Sequence, residues 1–148
     1  MTFAIKGETG NCVRLELLEI FGFPETTSHF GGYDARWSVL IKSHGFSAHG
    51  ELWIATGELI QLCSAMRKSY DELKGSFDWM NSDEELRLKF KFEPRGIVIV
   101  SGTYRQYRGT FDRLDFEFDT DQTFVNETLL DMERLISDYG GMRGIGRK

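Results

Sequence analysis

The chain has 148 residues, of which 41% are hydrophobic and 28% charged, a composition typical of one globular domain and incompatible with disorder over most of its length. No apolar run approaches the ~20 residues that a membrane-spanning helix needs, and the first residues lack the apolar core of a signal peptide. A formal net charge of −5 argues against a general nucleic-acid-binding protein. We therefore expect neither a membrane nor a nucleic acid as partner.

The number and spacing of the cysteines exclude two further classes of protein. Cys12 and Cys63 are the two cysteines, and they form neither a CxxC pair nor a metal-ligand spacing with any histidine. This pattern excludes a disulfide framework and a zinc knuckle. We expect a cytoplasmic protein with no metal and no cofactor.

The first half of the chain predicts four strands and a helix. Alternating apolar and polar residues mark the strands, which lie over residues 2–6, 12–21, 35–43 and 46–54. Apolar residues at spacings of three and four then predict a helix over about 57–74, with Thr56 as its N-cap and Gly75 as its stop.

The second half repeats this order. Its alternating patterns predict strands over 77–80, 85–92, 97–105 and 111–119. Asp119 and Gln122 resemble a capping box, and a second apolar stripe predicts a helix over about 121–139.

These elements predict an α+β fold. Hairpin-length connections favour one mostly antiparallel, twisted sheet of about 7–8 strands, with both helices packed on one face. We assign residues 1–139 to a single domain. Residues 140–148 hold four glycines and three basic residues, and we expect a flexible tail there.

A register for the second half follows from its turns. A four-residue turn over 93–96 would place Phe92 opposite Ile97, and a turn centred on Arg108 and Gly109 would place Ile99 opposite Phe118. In this register Ile97 and Ile99 face the core. Val98, Val100 and Tyr104 face outward.

The outward face then has a regular charge pattern. A basic strand that includes Lys89 and an acidic strand flank an uncharged strand, and residues 111–139 carry nine acids against two arginines. The pattern has two interpretations: a solvated surface that neutralises itself, or a recognition face with apolar anchors inside a charged rim. Trp53 is an exposed aromatic of the kind that anchors interfaces. The hypothetical partner-binding residues are Asp115, Glu117, Asp119, Tyr104, Val98, Val100, Lys89 and Trp53.

Catalytic patterns are weak. Ser47, His49 and Glu51 alternate along one strand, so successive members lie about 6.6 Å apart and cannot form a hydrogen-bonded relay. The chain has no phosphate-binding glycine loop. We predict a non-enzymatic binding protein. A carrier with a hydrophobic cavity between sheet and helix is the second hypothesis, and a hydrolase that uses surface carboxylates is the third.

Several short motifs occur in a characteristic order along the chain: Phe23-Pro24, the stretch 36–41, Gly57-Glu58-Leu59, Leu86-Arg87-Leu88, the stretch 96–102 and the stretch 118–124. In this order they resemble the motifs of bacterial WapI-type immunity proteins, and the resemblance spans about residues 12–138. It implies a small cytoplasmic protein that binds and neutralises a cognate secreted toxin, often a nuclease, made by the same or a sibling cell. It implies no catalytic residues.

Overall fold

The structure, a computed structural model, describes residues 1–106 and 111–145. In this part of the chain eight strands form two four-stranded antiparallel sheets, each with its strands in chain order. The first sheet holds β1 (Thr2–Lys6), β2 (Cys12–Ile20), β3 (Ala35–Ser43) and β4 (Phe46–Trp53); the second holds β5 (Gly75–Met80), β6 (Leu86–Phe92), β7 (Ile97–Tyr104) and β8 (Leu114–Asp121). The helices are α1 (Thr56–Glu72), between the sheets in sequence, and α2 (Gln122–Tyr139), after the second sheet.

The α+β class and the antiparallel pairing are confirmed, but the single sheet is wrong. The chain leaves the first sheet after β4, runs through the 17 residues of α1, and begins a separate sheet at β5. The helices do not share one face of one sheet. α1 packs against α2, β5 and β6, whereas α2 packs against β1 of the first sheet and β8 of the second.

Both sheets bury one face in a common core. The alternation in each strand supplies apolar side chains to that face, and the apolar stripes of the helices complete the cluster. Its largest fully buried members are Trp37, Phe3, Phe90, Phe118, Leu15, Ile41, Leu52, Ile54, Leu59, Leu62 and Met66. The indole N–H of Trp37 donates to the carbonyl of Ile54 at 2.9 Å, so this buried polar group is satisfied.

The helix ends differ slightly from the predicted ones. Thr56 is the first residue of α1 and Ala55 is its N-cap, with the Glu58 carboxylate accepting from the Ala55 N–H at 2.8 Å. α1 ends before Leu73, which adopts a left-handed conformation with φ of 56°. The cap of α2 is Asp121, which accepts from the Phe124 N–H at 3.0 Å.

The predicted register of β7 is wrong by one residue. Phe92 pairs with Val98, not with Ile97. Val98 and Val100 are consequently fully buried, whereas Ile97 is 45% exposed. Since side chains alternate along a strand, this one-residue slip exchanges the inner and outer faces of the whole of β7.

The cause is the length of the turn between β6 and β7. The Glu93 N–H donates to the Ile97 carbonyl at 2.8 Å, which extends the hairpin and leaves a loop of three residues, Pro94–Gly96. Arg95 and Gly96 both have positive φ, of 69° and 80°, which lets the chain reverse in three residues rather than four. The pairing of β7 with β8 is shifted by one residue as well, so β8 keeps its predicted orientation. Arg108 and Gly109 lie outside the described residues.

The start of the predicted tail contacts the loop before β3. The Met142 carbonyl accepts from the Gly32 N–H at 2.7 Å, and the Ile145 N–H donates to the Tyr33 hydroxyl at 2.9 Å. Residues 146–148 lie outside the described part of the chain. The division into a domain over 1–139 and a flexible tail over 140–148 stays a prediction.

The orientation of β7 predicts that the same substitution changes the free energy of unfolding very differently at two adjacent positions. Val98→Asp places an unpaired carboxylate in the core and is expected to lower the free energy of unfolding by about 4 kcal/mol or to prevent folding. Ile97→Asp is expected to change it by less than about 1 kcal/mol, because its side chain already meets solvent. Urea unfolding of both variants measures the two free energies. A larger loss for Ile97→Asp than for Val98→Asp would instead support the register predicted from the sequence.

Candidate functional site

The outer face of the second sheet carries a regular array of charges, here named the charged face. Basic side chains of β6 and acidic side chains of β8 flank uncharged side chains of β7 in three rows. The rows are Arg87–Thr103–Asp115, Lys89–Ser101–Glu117 and Lys91–Ile99–Asp119. All six charged residues are exposed. The predicted arrangement of basic, uncharged and acidic strands is therefore present, with a different set of residues in the middle.

Three of the predicted partner-binding residues do not reach this face. Val98 and Val100 are fully buried, and Tyr104 is only 4% exposed. The Tyr104 hydroxyl packs against Gly50 of β4, where any Cβ would collide with it. These residues join the core instead, because the three-residue loop turns their side of β7 inward. They cannot anchor a partner on the charged face.

The acidic strand is not neutralised by the basic strand. In residues 1–106 and 111–145 no ion pair crosses β7: Arg87 approaches Asp78 of β5 at 3.7 Å, and Arg113 approaches Asp115 at 3.3 Å. Within the acidic strand, Asp115 is therefore paired with Arg113, whereas Glu117 and Asp119 have no ion-pair partner among the described residues. Exposed pairs such as these two contribute about 0–1 kcal/mol each.

The backbone of the acidic strand is held firmly. The Glu117 carbonyl accepts from the Ser43 hydroxyl at 3.2 Å, and His44 Nε2 lies 3.2 Å from the same oxygen. The Thr120 hydroxyl donates to the Lys6 carbonyl. These contacts tie β8 to the first sheet, so its carboxylates project from a rigid element.

Trp53 lies at the end of β4, away from the charged face, in a second feature named here the aromatic hollow. This depression of about 210 Å³ has two exposed rings, Trp53 at 44% and Phe30 at 48%. Asp34, Asp83 and the buried Glu58 also line it. The loop before β3, the end of β4 and the turn between β5 and β6 meet there.

Glu58 connects these segments. Its carboxylate accepts from the backbone N–H of Ala55 at 2.8 Å and from that of Ser82 at 2.6 Å. Its side chain makes no ion pair with any residue in the described ranges. Burial raises the pKa of Glu58, and the nearby charge of Asp83 raises it further, against the lowering effect of the two backbone N–H groups.

The three residues considered as a catalytic relay are spaced along one strand. Ser47, His49 and Glu51 lie exposed on β4, and Glu51 pairs with Arg36 at 2.8 Å. Within residues 1–106 and 111–145 no group of three or more His, Cys, Asp or Glu side chains is placed to hold a metal ion. The buried faces of sheets and helices pack against one another, which does not favour the carrier hypothesis.

The comparison with models of protein families shows which family the chain belongs to. The model of the immunity protein WapI-like family matches residues 4–140, a range that takes in both sheets, apart from the first two residues of β1, and both helices. The chain belongs to this family. No significant match was found among curated proteins or among solved structures.

Sequence reasoning identified the residues of the charged face and of the aromatic hollow only in part. The pattern found the acidic residues of β8, Lys89 and Trp53. It missed Ile99, Ser101 and Thr103, which replace the buried residues of β7 on the charged face. It also missed Glu58 and Asp83 beside Trp53, because no local spacing connects them. In the described ranges no helix is long and apolar enough to span a membrane.

The raised pKa of Glu58 predicts a pH-dependent stability. Because the fold favours the protonated carboxyl, its stabilising contribution is complete below the ordinary pKa and is lost as the pH rises through the raised one. The free energy of unfolding of the wild type should therefore fall relative to Glu58→Gln as the pH rises from about 4 through the raised pKa. Urea unfolding at several pH values checks this, and a constant difference would contradict the raised pKa.

Proposed function

We propose that this WapI-like immunity protein binds and neutralises a cognate protein toxin, and that it acts by binding alone, without catalysis. The single observation that carries the proposal is the family match over residues 4–140. Ser47, His49 and Glu51 are spaced too widely along β4 for a hydrogen-bonded relay, and this spacing supports a non-enzymatic role.

The acidic half of the charged face favours a basic partner. Asp115, Glu117 and Asp119 project from the edge strand of the second sheet, and the last two make no ion pair with a described residue. A nuclease toxin needs a basic surface for the phosphates of its substrate, and an acidic inhibitor can occupy that surface with fast, steered association. A nuclease is therefore the toxin class that we propose.

We place this encounter in the cytoplasm. Cys12 and Cys63 are both free and buried, as expected of a chain that folds under reducing conditions. A nuclease toxin that enters a sibling cell finds its substrate in the same compartment, so an immunity protein is needed there.

The test of the proposal is protection in living cells. A candidate toxin domain, sought in the neighbouring genes, is expressed from an inducible promoter with and without the full-length immunity protein. Growth and nucleic-acid integrity are measured. We expect growth to be restored and the purified pair to form a stable complex. If neither occurs while the toxin domain is active and the immunity protein is folded, the proposed function is wrong.

Reversing the charges of the acidic strand tests whether the charged face takes part in binding. Replacing Asp115, Glu117 and Asp119 together by Lys should slow association with the toxin by about ten-fold or more at low salt and flatten the dependence of the association rate on ionic strength. Stopped-flow or surface plasmon resonance measures both quantities.

The matched control reverses the same number of acidic residues at another place on the surface. Asp71, Glu72 and Asp138 are exposed residues of the two helices and their ends, and their reversal to Lys changes the net charge equally. The control should retain most of the association rate. Equal slowing by both variants would show that net charge, not the charged face, governs the encounter.

A further inference from the structure

The aromatic hollow has the chemistry of a site for a cation. Trp53 and Phe30 present two half-exposed rings, and Asp34, Asp83 and Glu58 supply three carboxyl groups. Among the described residues, its lining includes no Lys, Arg or His side chain. Aromatic faces attract cations through their quadrupole, and carboxylates bind guanidinium groups with directed hydrogen bonds.

The wall that carries Phe30 is ordered by its own hydrogen bonds. The Ser28 hydroxyl donates to Asp34 at 2.6 Å and accepts from the Phe30 N–H at 3.0 Å. The Gly57 N–H at the start of α1 donates to the Gly31 carbonyl at 3.1 Å. The loop therefore holds Phe30 and Asp34 in place before any partner arrives.

The opposite wall is fixed as well. The ring of Trp53 packs on Phe21 with 5.1 Å between centroids, and the Asn81 side-chain amide donates to the Trp53 carbonyl at 3.1 Å. The side-chain oxygen Oδ1 of Asn81 accepts from the N–H groups of Glu85 and Leu86, which sets the turn that carries Asp83. A preformed site binds with a smaller ordering cost than a flexible one.

In the part of the chain that the structure describes, the carboxyl groups that line the hollow have no ion-pair partner. Glu58 is only 6% exposed and receives hydrogen bonds but no ion pair from the described residues. Burial raises the pKa of both Glu58 and Glu85, and the charge of Asp83 contributes to each increase. A cation placed here would relieve this repulsion, since a buried carboxylate without a counter-charge is costly.

We propose that the aromatic hollow is the docking site for one arginine side chain of the toxin. The inference rests on the proposed function for the identity of the partner. Arginine fits better than lysine because its planar guanidinium stacks on aromatic faces while it donates to carboxylates in its plane. The volume of about 210 Å³ suits a single side chain rather than a helix or a strand.

A small probe tests the site without the toxin. N-acetyl-arginine methylamide is titrated into the full-length protein, and the indole resonance of Trp53 and the amide resonances of Ser82 and Asp83 are followed by ¹⁵N NMR. We expect saturable shifts, and shifts at least about five-fold smaller with the neutral citrulline analogue, because its urea carries no charge. Equal shifts with both compounds, or none with either, would overturn the proposal.

Variants locate the binding in the hollow. Trp53→Ala and Asp83→Asn should each weaken the arginine-specific shifts by about five-fold or more. The matched controls are Phe46→Ala, which removes another exposed ring, and Asp138→Asn, which neutralises another exposed carboxylate. Loss of the shifts in the controls as well as in the variants would place the probe elsewhere and overturn the site.

The toxin then separates the two proposals. In a complex that forms with the wild type, Trp53→Ala and Asp83→Asn should raise the Kd by about ten-fold or more, mainly through faster dissociation, while Phe46→Ala and Asp138→Asn leave it unchanged. An unchanged Kd in all four variants would overturn the docking site and leave the immunity function standing. A wild type that binds no toxin would overturn the function, and the probe titration would still decide whether the hollow takes a guanidinium group.

Discussion

The three-residue loop between β6 and β7 decides which side chains the second sheet can offer a partner. Arg95 and Gly96 both adopt left-handed conformations there, and the hairpin closes one residue tighter than a four-residue turn would allow. Because inward and outward positions alternate along a strand, this choice buries Val98 and leaves Ile99, Ser101 and Thr103 on the charged face. The chemistry of the surface thus depends on a backbone detail that lies outside it.

The same strand shows where sequence reasoning reaches its limit. Strands β6 and β8 alternate charged residues with Phe and Leu, so burial leaves only one choice of face. In β7 the stretch 97–100 is Ile-Val-Ile-Val, apolar on both sides, and the alternation carries no information about which side faces the core. The division into two sheets was unpredictable for a related reason. Every predicted strand is present, although β5 begins two residues earlier and β8 begins three residues later than predicted. A helix between β4 and β5 is equally compatible with one sheet or two.

The two candidate surfaces differ in the same way. The acidic residues of β8 were predictable because Asp115 and Glu117 alternate with buried phenylalanines in a single strand. Trp53 was identifiable as exposed because it follows the buried Leu52. The aromatic hollow was not predictable, since its lining comes from the loop before β3, the end of β4, the first turn of α1 and the turn after β5. Glu58 reads in the sequence as an ordinary residue of a helix's first turn, and only the fold brings Ser82 to it.

The charged face and the aromatic hollow suit different stages of one encounter. In the proposed encounter, the exposed carboxylates on β8 act at a distance that salt shortens to about 8–10 Å, so they would set how fast a basic partner arrives. The proposed arginine site in the hollow would set how slowly that partner leaves. Neither suffices alone, since a specific interface buries about 800 Å² on each side. The turn between β5 and β6 borders both: Ser82 and Asp83 line the hollow, and Glu84 and Glu85 line a depression shared with Arg87 and Thr103 of the charged face. A partner that covers this turn can contact both features at once, and its basic residues would then be divided between an exposed strip and a single enclosed position.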